Sequence, residues 1–425
     1  MSTSSPAIHV LDKANYSKHR VVTLPNEPLP PLAPSSLRLR PRILGLTTNN
    51  LTYARLGHLM GWYDIYPLPA NTPAPYTDSS TYGRISAWGY ADIVESTVPE
   101  ISPGQTVYGY LPISTGLETV RIEFAKEHND GQQTIKDEII VLDEHRQHLW
   151  KIYNRYHVRP PLSTLEKTVG LDSLGWDALM QGLFGTAYNL NTFGFAWEDD
   201  GNRIHPSGKG EWTASDTDLR NATVVILNAS GKTGMSFAYS LRHLRPKEHQ
   251  PTTIIGIGSA ASVSAIEKSG FYDKTVLISD ARATAADIEE SGTTGTTSRV
   301  VYVDFGGRVG ASEAWKAALS SMPSVPFTLV TVGGEVEIQN PEKARKRLDS
   351  AASLNLVNAS LLREKGIEAG GQKYFDEFYQ AFEEFKTRVV GLQLRWGEGL
   401  SAWEMGWEAF VRDEVRADTG LVYRI

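Results

Sequence analysis

Cysteine is absent from the whole chain. Its absence removes disulfides, thiol nucleophiles, iron–sulfur clusters and cysteine-ligated zinc together. No apolar run approaches the roughly 18 residues of a membrane-spanning helix. The opening stretch, MSTSSPAIHVLDKANYSKHR, has no apolar signal core. A soluble, cytoplasmic protein is the expectation. Positive charge is not in surplus either. With 42 Lys and Arg against 49 Asp and Glu, the net charge is −7, which offers nucleic acid no basic face. There is no G-x-S-x-G elbow and no H-E-x-x-H pair. The expected partner is a small-molecule substrate, with no nucleic acid, no membrane and no metal.

What remains is ordinary globular material: 425 residues, 41% hydrophobic and 21% charged, enough for two domains or one large one. Residues 1–40 are polar and then proline-rich (Pro25, Pro28, Pro30, Pro31, Pro34), and read as an extended arm. From Arg38 to about Phe124, short β-type runs such as RPRILGLTTNNL, GRISAWGYADIVES and QTVYGYLPIS alternate with Gly and Pro. That spacing predicts a compact, barrel-like β domain. Residues 131–170 read as an insertion. Within it, His145 and His148 stand beside Asp143 and Glu144, a pattern that reads as a solvated helix face rather than a metal site.

A helix is expected from Gly175 to Asn191. Beyond it the pattern changes to short apolar runs: ATVVILNA, TTIIGIGS, TVLISD, RVVYVDFG and PFTLVTVGG. Separated by helical stretches, such runs imply a parallel sheet of βαβ units. The tail from about Pro341 is mostly helical. Phe375, Phe378, Phe382 and Phe385 recur at helical spacing, and Trp396, Trp403 and Trp407 follow. These aromatics read as core or interface, so the tail either covers a cleft or forms a homodimer face.

The segment richest in chemistry is Val224-Val225-Ile226-Leu227-Asn228-Ala229-Ser230-Gly231-Lys232-Thr233-Gly234, followed by MSFAYSLRHL. It reads as strand, tight turn and helix. Ala229, Gly231 and Gly234 stand where G-x-G-x-x-G places glycines: for the turn, for close approach of a pyrophosphate, and for helix–strand packing. The helix N-terminus would offer phosphate its free N–H groups. A Walker A loop would need glycine at position 226, which is Ile, so nucleotide hydrolysis is rejected. The next apolar run ends at Gly258-Ser259, with no Asp or Glu for the ribose hydroxyls and no Arg or Lys before Lys268. A small neutral end leaves space for a 2′-phosphate, which favours NADP over NAD.

With those residues in view, the chain resembles the medium-chain dehydrogenase/reductases, in their zinc-free quinone oxidoreductase and enoyl reductase branches. Tyr53-Ala54-Arg55-Leu56-Gly57 resembles a Y-x-R-x-G stretch, with Asn49 and Asn50 near the Asn that precedes it. Gly89–Glu95 and Pro103–Gly109 resemble the G-x-V and P-G-D-x-V-y-G signatures of the N-terminal barrel. Phe184–Tyr188 resembles the L-T-A-Y helix, Asn228–Gly234 the A-A-S-G-G-V-G loop, Ser269–Asp273 the L-G-A-D turn, and Asp304–Gly307 a later D-x-x-G segment. The nearest branch is a divergent one known only as a domain of unknown function. Lys232 and Thr233 depart from the family's Gly and Val, and the zinc-binding members' Cys and G-H-E motif are missing.

The resemblance implies an α/β protein: a GroES-like β-barrel domain plus a Rossmann-type doubly wound parallel sheet, with an added helical C-terminal segment. The expected bounds are an arm at 1–40, the barrel domain at 41–195 with the 131–170 insertion, the dinucleotide-binding domain at 196–345, and a tail at 346–425 packed on the barrel domain. It also implies NADPH-dependent reduction of an activated C=C or C=O bond of a small enone-, quinone- or polyketide-like substrate. Tyr53 would be the proton donor or carbonyl polariser, pointing into a cleft. Asn50 and Thr186 would bind substrate or nicotinamide. Ala229, Ser230, Gly231, Lys232, Thr233, Gly234, Gly258, Ser259, Phe305 and Gly306 would hold the cofactor. The alternative keeps the fold and abandons redox, for a lyase, hydrolase, isomerase or cyclase using Tyr53, Asp64, His58 or Lys232. A non-enzymatic scaffold is the third class.

Overall fold

The computed structural model describes residues 5–126, 134–198, 202–307, 310–334, 341–352 and 356–425. In chain order the elements are β1 (Ala7–Asp12), β2 (His19–Thr23), β3 (Ser36–Leu46), α1 (Thr48–Met60), β4 (Tyr82–Gly83), β5 (Ser86–Ser96), β6 (Thr106–Pro112), β7 (Glu118–Lys126), β8 (Thr134–Val141), β9 (Arg155–Arg159), α2 (Leu162–Thr168) and α3 (Leu171–Asn189). Then come α4 (Ala214–Thr217), β10 (Ala222–Leu227), α5 (Lys232–Tyr239), β11 (Thr253–Gly258), α6 (Val263–Ser269), β12 (Lys274–Leu277), α7 (Ala281–Thr293), β13 (Arg299–Phe305), α8 (Ala311–Ser320) and β14 (Phe327–Gly333). The chain finishes with α9 (Pro341–Ala352), α10 (Ala359–Gly370), α11 (Gln372–Arg388), β15 (Gln393–Glu398), α12 (Gly399–Val411) and β16 (Thr419–Arg424). These elements form two compact units. One comprises residues 1–179, 338–346 and 393–425, and the other 180–337 and 347–392.

The first unit is built on antiparallel pairing. β3 pairs with β5, β5 with β6, β6 with β9, β9 with β8 and β8 with β7, and β7 pairs back onto β3. The sheet therefore closes into a barrel, which leaves those strands without free edges. Alternating side chains from these strands, among them Leu37, Leu39, Ile93, Val107, Ile122, Ile139 and Tyr156, fill the interior. β16 adds to the far half of β3, and β15 runs parallel to β16.

Four expectations about boundaries change, the first being the end of the 41–195 barrel domain, since residues 180–195 belong to the second unit. The 1–40 arm contains a hairpin, β1–β2, because Ile8, Val10, Val22 and Leu24 alternate inward and make a small core of their own. His9 of this hairpin bonds through Nε2 to His19 Nδ1 at 3.1 Å, and His19 Nε2 donates to Glu408 Oε2 on α12 at 2.8 Å. The stretch 131–170 is not an appendage, since β8 and β9 complete the barrel wall. The tail does not go as one piece to the barrel unit. Residues 347–392 belong to the second unit and 393–425 to the first.

In the second unit every strand pair is parallel, in the order β12-β11-β10-β13-β14. Numbered from one in chain order, that is 3-2-1-4-5, the strand order of a Rossmann-type sheet. The central strands β11, β10 and β13 are buried on both faces, so they read as unbroken apolar runs rather than alternations, while the edge strands β12 and β14 are only partly buried. Val225, Leu227, Ile257, Val300 and Tyr302 pack against Trp315 and Leu319 of α8. The phenylalanine stripe of α11 also goes into a core. Phe378, Phe382 and Phe385 lie 5.8, 5.2 and 5.0 Å, ring to ring, from Phe184 of α3.

Candidate functional site

The strands β11, β10 and β13 are neighbours, and their C-terminal ends bring together three of the predicted segments. Leu227 is in register with Ile257 on one side and Asp304 on the other. Beyond them lie Ala229–Gly234, Gly258-Ser259 and Phe305-Gly306. This edge is the switch point of the sheet, where connections leave in opposite directions and a crevice opens outside the strand ends.

The β10–α5 turn is tightly made. Asn228 takes a left-handed φ of 60°, a conformation Asn tolerates better than most residues. Gly231 N–H then closes onto the Asn228 carbonyl at 2.9 Å. A Cβ on Gly231 would lie 2.7 Å from Asn228 Nδ2, and one on Gly234 would lie 2.8 Å from the Asn228 carbonyl. Both glycines are therefore required by the turn itself, whatever binds there. Ala229 N–H donates to the Ile257 carbonyl at 3.1 Å, and the Tyr272 hydroxyl donates to the Ala229 carbonyl at 2.7 Å.

The helix that follows begins in a state suited to an anion. Its N-cap, Gly231, supplies no side-chain cap, and its first turn carries no acidic residue. The first N–H groups of a helix have no partner within it, and the dipole end is positive. Lys232 and Thr233, both half-buried, sit at this end. The residues present thus fit a dinucleotide pyrophosphate. The ribose end fits the expectation less well. The space beside Gly258 is filled, since a Cβ there would meet Ile266 Cδ1 at 2.3 Å and Ser262 Oγ at 2.7 Å. Ser259 N–H donates to Ser262 Oγ at 2.9 Å. Gly258 therefore serves the packing of α6, and its missing side chain is not in itself a pocket for a 2′-phosphate. On the third strand, Phe305 sets its ring 5.7 Å from Phe237 of α5, tilted by 50°, and Gly306 N–H donates to Asp304 Oδ1 at 2.8 Å.

The predicted catalytic residues are distributed over both units. Tyr53 and Asn50 lie on α1 of the first. Asn50 is occupied structurally: its Oδ1 accepts from Thr47 N–H at 2.8 Å, and its Nδ2 donates to the Ser86 carbonyl at 3.0 Å. The first contact is half of a capping box. Thr186, on α3 in the second unit, donates to the Gly182 carbonyl at 3.2 Å, a local helix bond. Tyr53 is 5% exposed, with its ring among Trp62, Tyr110 and Tyr153 at 4.8, 5.0 and 6.0 Å. Its oxygen accepts from Trp88 Nε1 at 3.3 Å. Burial raises its pKa, partly offset by hydrogen bonds from Trp88, Tyr153 and Asn49. Trp88 and Tyr153 were not legible as partners of Tyr53, because they come from β5 and from the turn before β9. Asn49 was singled out only for its place beside the Y-x-R-x-G stretch.

A second cluster was not legible as one: His58, Asp64 and His148 stood out singly, and Trp62 and Trp150 not at all. His148 is exposed, as expected of a solvated face, yet its ring packs over Gly61, the left-handed C-cap of α1. Together with His58, Trp62, Asp64, Trp150 and Tyr153 it lines an open cavity of about 330 Å³. Among the described residues, no group of three or more His, Cys, Asp or Glu is placed to hold a metal ion. No helix among them is long and apolar enough to cross a membrane.

A closed antiparallel barrel joined to a 3-2-1-4-5 parallel sheet is the fold of the medium-chain dehydrogenase/reductases. Solved structures with it align over the full length at low identity. An enoyl reductase, JamJ, matches with a TM-score of 0.53 at 13% identity, covering 99% of each chain. A candidate NADPH:quinone reductase from Bacillus thuringiensis matches with a TM-score of 0.54 at 11% identity, again over 99% of each. The mitochondrial 2-enoyl thioester reductase Etr1p/Etr2p heterodimer from Candida tropicalis matches with a TM-score of 0.53 at 8% identity, over 99% of this chain and 100% of that one. None of the curated proteins matches. Within this fold, the chain belongs to the family described as Protein of unknown function (DUF2855), which matches residues 44–416.

Proposed function

We propose that this protein is an NADPH-dependent, zinc-independent reductase of an activated C=C or C=O bond in a small enone-, quinone- or polyketide-like substrate, working in the cytoplasm. The observation that carries the reading is the bare N-terminus of α5 at the sheet's switch point, with no side-chain cap and no acidic residue in its first turn. The backbone of Ala229–Gly234 would hold the pyrophosphate, and Lys232 would add charge. When bound, the cofactor supplies hydride. The reductase names of the structural neighbours agree with this reading.

Tyr53 supplies the proton or polarises the carbonyl. Burial keeps its hydroxyl protonated at neutral pH. Its oxygen already accepts from Trp88, so its own O–H is left to donate. Negative charge developing on a substrate oxygen would strengthen that bond. The neighbours of Tyr53, Asn49 and Trp88, are both half-buried.

The test is calorimetric titration with NADPH, NADP⁺, NADH and NAD⁺. Binding of NADPH, weakened by Lys232→Ala, is the expected result. Failure of all four at millimolar concentration would turn the assignment to the second reading, a cofactor-free lyase, hydrolase, isomerase or cyclase. The observation favouring that one is that His58 and Asp64 share a cavity.

A further inference from the structure

The cavity at the end of α1 has walls from two short segments, residues 58–64 and 148–153. Both are firmly held. Gly61, at φ 74°, ends α1 and accepts a turn bond from Asp64 N–H at 3.0 Å. A side chain at position 61 is ruled out twice, since a Cβ would lie 2.4 Å from His148 Nε2. The second segment is anchored by the fully buried Arg146, whose Nε donates to Asn154 Oδ1 at 2.7 Å and whose guanidinium also donates to the Tyr153 carbonyl at 2.6 Å. Walls fixed in this way spare a ligand the cost of ordering them.

The volume, about 330 Å³, lies at the small end of the range typical of small-molecule sites, roughly 300–1,000 Å³. Its lining has two characters. Trp150, half-buried, offers aromatic surface, with the buried Trp62 and Tyr153 behind it, suited to a flat apolar body and, through the ring face, to a cation. Asp64 is the acidic group among the lining residues. Its neighbour His148 has Nε2 3.6 Å from Asp64 Oδ2, too long for a hydrogen bond, so that carboxylate oxygen keeps capacity for a donor. Partial burial and the nearby charges of Arg345 and Lys13 lower the pKa of His58, against the pull of the Pro341 carbonyl. Lys13 does not line the cavity, although its charge and that of Asp64 act on each other: its Nζ donates to the Ser79 carbonyl at 2.7 Å and sits 5.1 Å over the Tyr63 ring.

We propose that this cavity binds a small aryl-alkyl ammonium ion, its ring on Trp150 and its charged nitrogen on Asp64. The site depends on no dinucleotide, and it stands whether or not the reductase reading holds. An anion of the same shape would meet the Asp64 carboxylate. A neutral one would leave that carboxylate unused.

The experiment is titration of the full-length chain with tryptamine near pH 8, read by calorimetry and by tryptophan quenching, beside indole and indole-3-acetate as neutral and anionic probes. Tryptamine is expected to bind with a Kd below about 1 mM, ahead of indole, with indole-3-acetate weakest. Asp64→Asn should weaken tryptamine by about ten-fold or more, the scale of a lost charge-assisted hydrogen bond, while leaving the melting temperature and the affinity for indole unchanged. Trp150→Ala should weaken all three probes. Absence of tryptamine binding, equal or better binding of indole-3-acetate, or an unaltered tryptamine affinity in a folded Asp64→Asn protein each overturns the proposal.

Discussion

Asn49, Asn50 and Tyr53 stand within one turn and a half of α1, yet the structure gives them different work. Asn50 spends both ends of its amide on holding the helix start to the barrel, through Thr47 N–H and the Ser86 carbonyl. Asn50→Ala should therefore lower stability by about 0.5–2 kcal/mol, the scale of a lost cap, seen as a lower denaturation midpoint. A protein of unchanged stability would return Asn50 to the candidates for substrate binding. Tyr53 differs because donors, from Trp88, Tyr153 and Asn49, surround its oxygen. Tyr53→Phe keeps the ring in its aromatic cluster and deletes the hydroxyl. Under the reductase reading, kcat should fall by roughly 10²-fold or more, with a stability loss of no more than about 1–3 kcal/mol for Trp88 Nε1 left unpaired. A kcat equal to wild type would make Tyr53 a wall residue.

The hairpin β1–β2 and the helix α12 are the elements most exposed to pH. Because the Glu408 carboxylate can only accept, His19 carries its proton on Nε2 and takes the His9 Nε2 proton on Nδ1. Burial, and then His19, push His9 well below its ordinary value of 6.5. The hydrogen bond from His19, and then Arg412 and the charge of His19, lower Glu408 from its ordinary 4.5 against partial burial. For His9 the unfolded chain takes up the proton first, so its stabilising contribution is complete above about pH 6.5 and drains away as the pH falls below it. For Glu408 the contribution is present above about 4.5 and is lost as pH drops through its lower folded value. Glu404, which accepts from Val21 N–H at 2.9 Å, is the other charge α12 sets against the hairpin. The melting temperature should fall between pH 7 and pH 5, and the fall should be smaller in His9→Gln. An equal fall in both proteins would place the acid sensitivity elsewhere.

For the molecule as a whole, the parallel sheet was legible in the sequence and the unit boundaries were not. Strands such as Ala222–Leu227 and Arg299–Phe305 are buried on both faces, so each announces itself as a continuous apolar run, and the helices between them dictate parallel pairing. The turn at Asn228–Gly234 was legible for the same local reason. What escaped depends on partners far along the chain: the hairpin β1–β2 with α12, β8 and β9 in the barrel wall, and the cavity between residues 58–64 and 148–153. No short window of sequence carries such pairings. The cysteine-free composition made one further expectation. Dialysis against a chelator should leave the melting temperature unchanged and elemental analysis should find no stoichiometric zinc, whereas near-equimolar zinc would require a ligand set not foreseen here. One feature of the topology bears on how the protein is made. β16 pairs with β3, so a strand from residues 36–46 takes a neighbour from residues 419–424. On the ribosome, where domains form as their residues emerge, the second unit can close while the first still lacks its last strand. Until β16 emerges the barrel unit then presents an unpaired edge at residues 43–46 of β3, beyond the stretch that pairs with β7, and that edge is the place for a chaperone to guard.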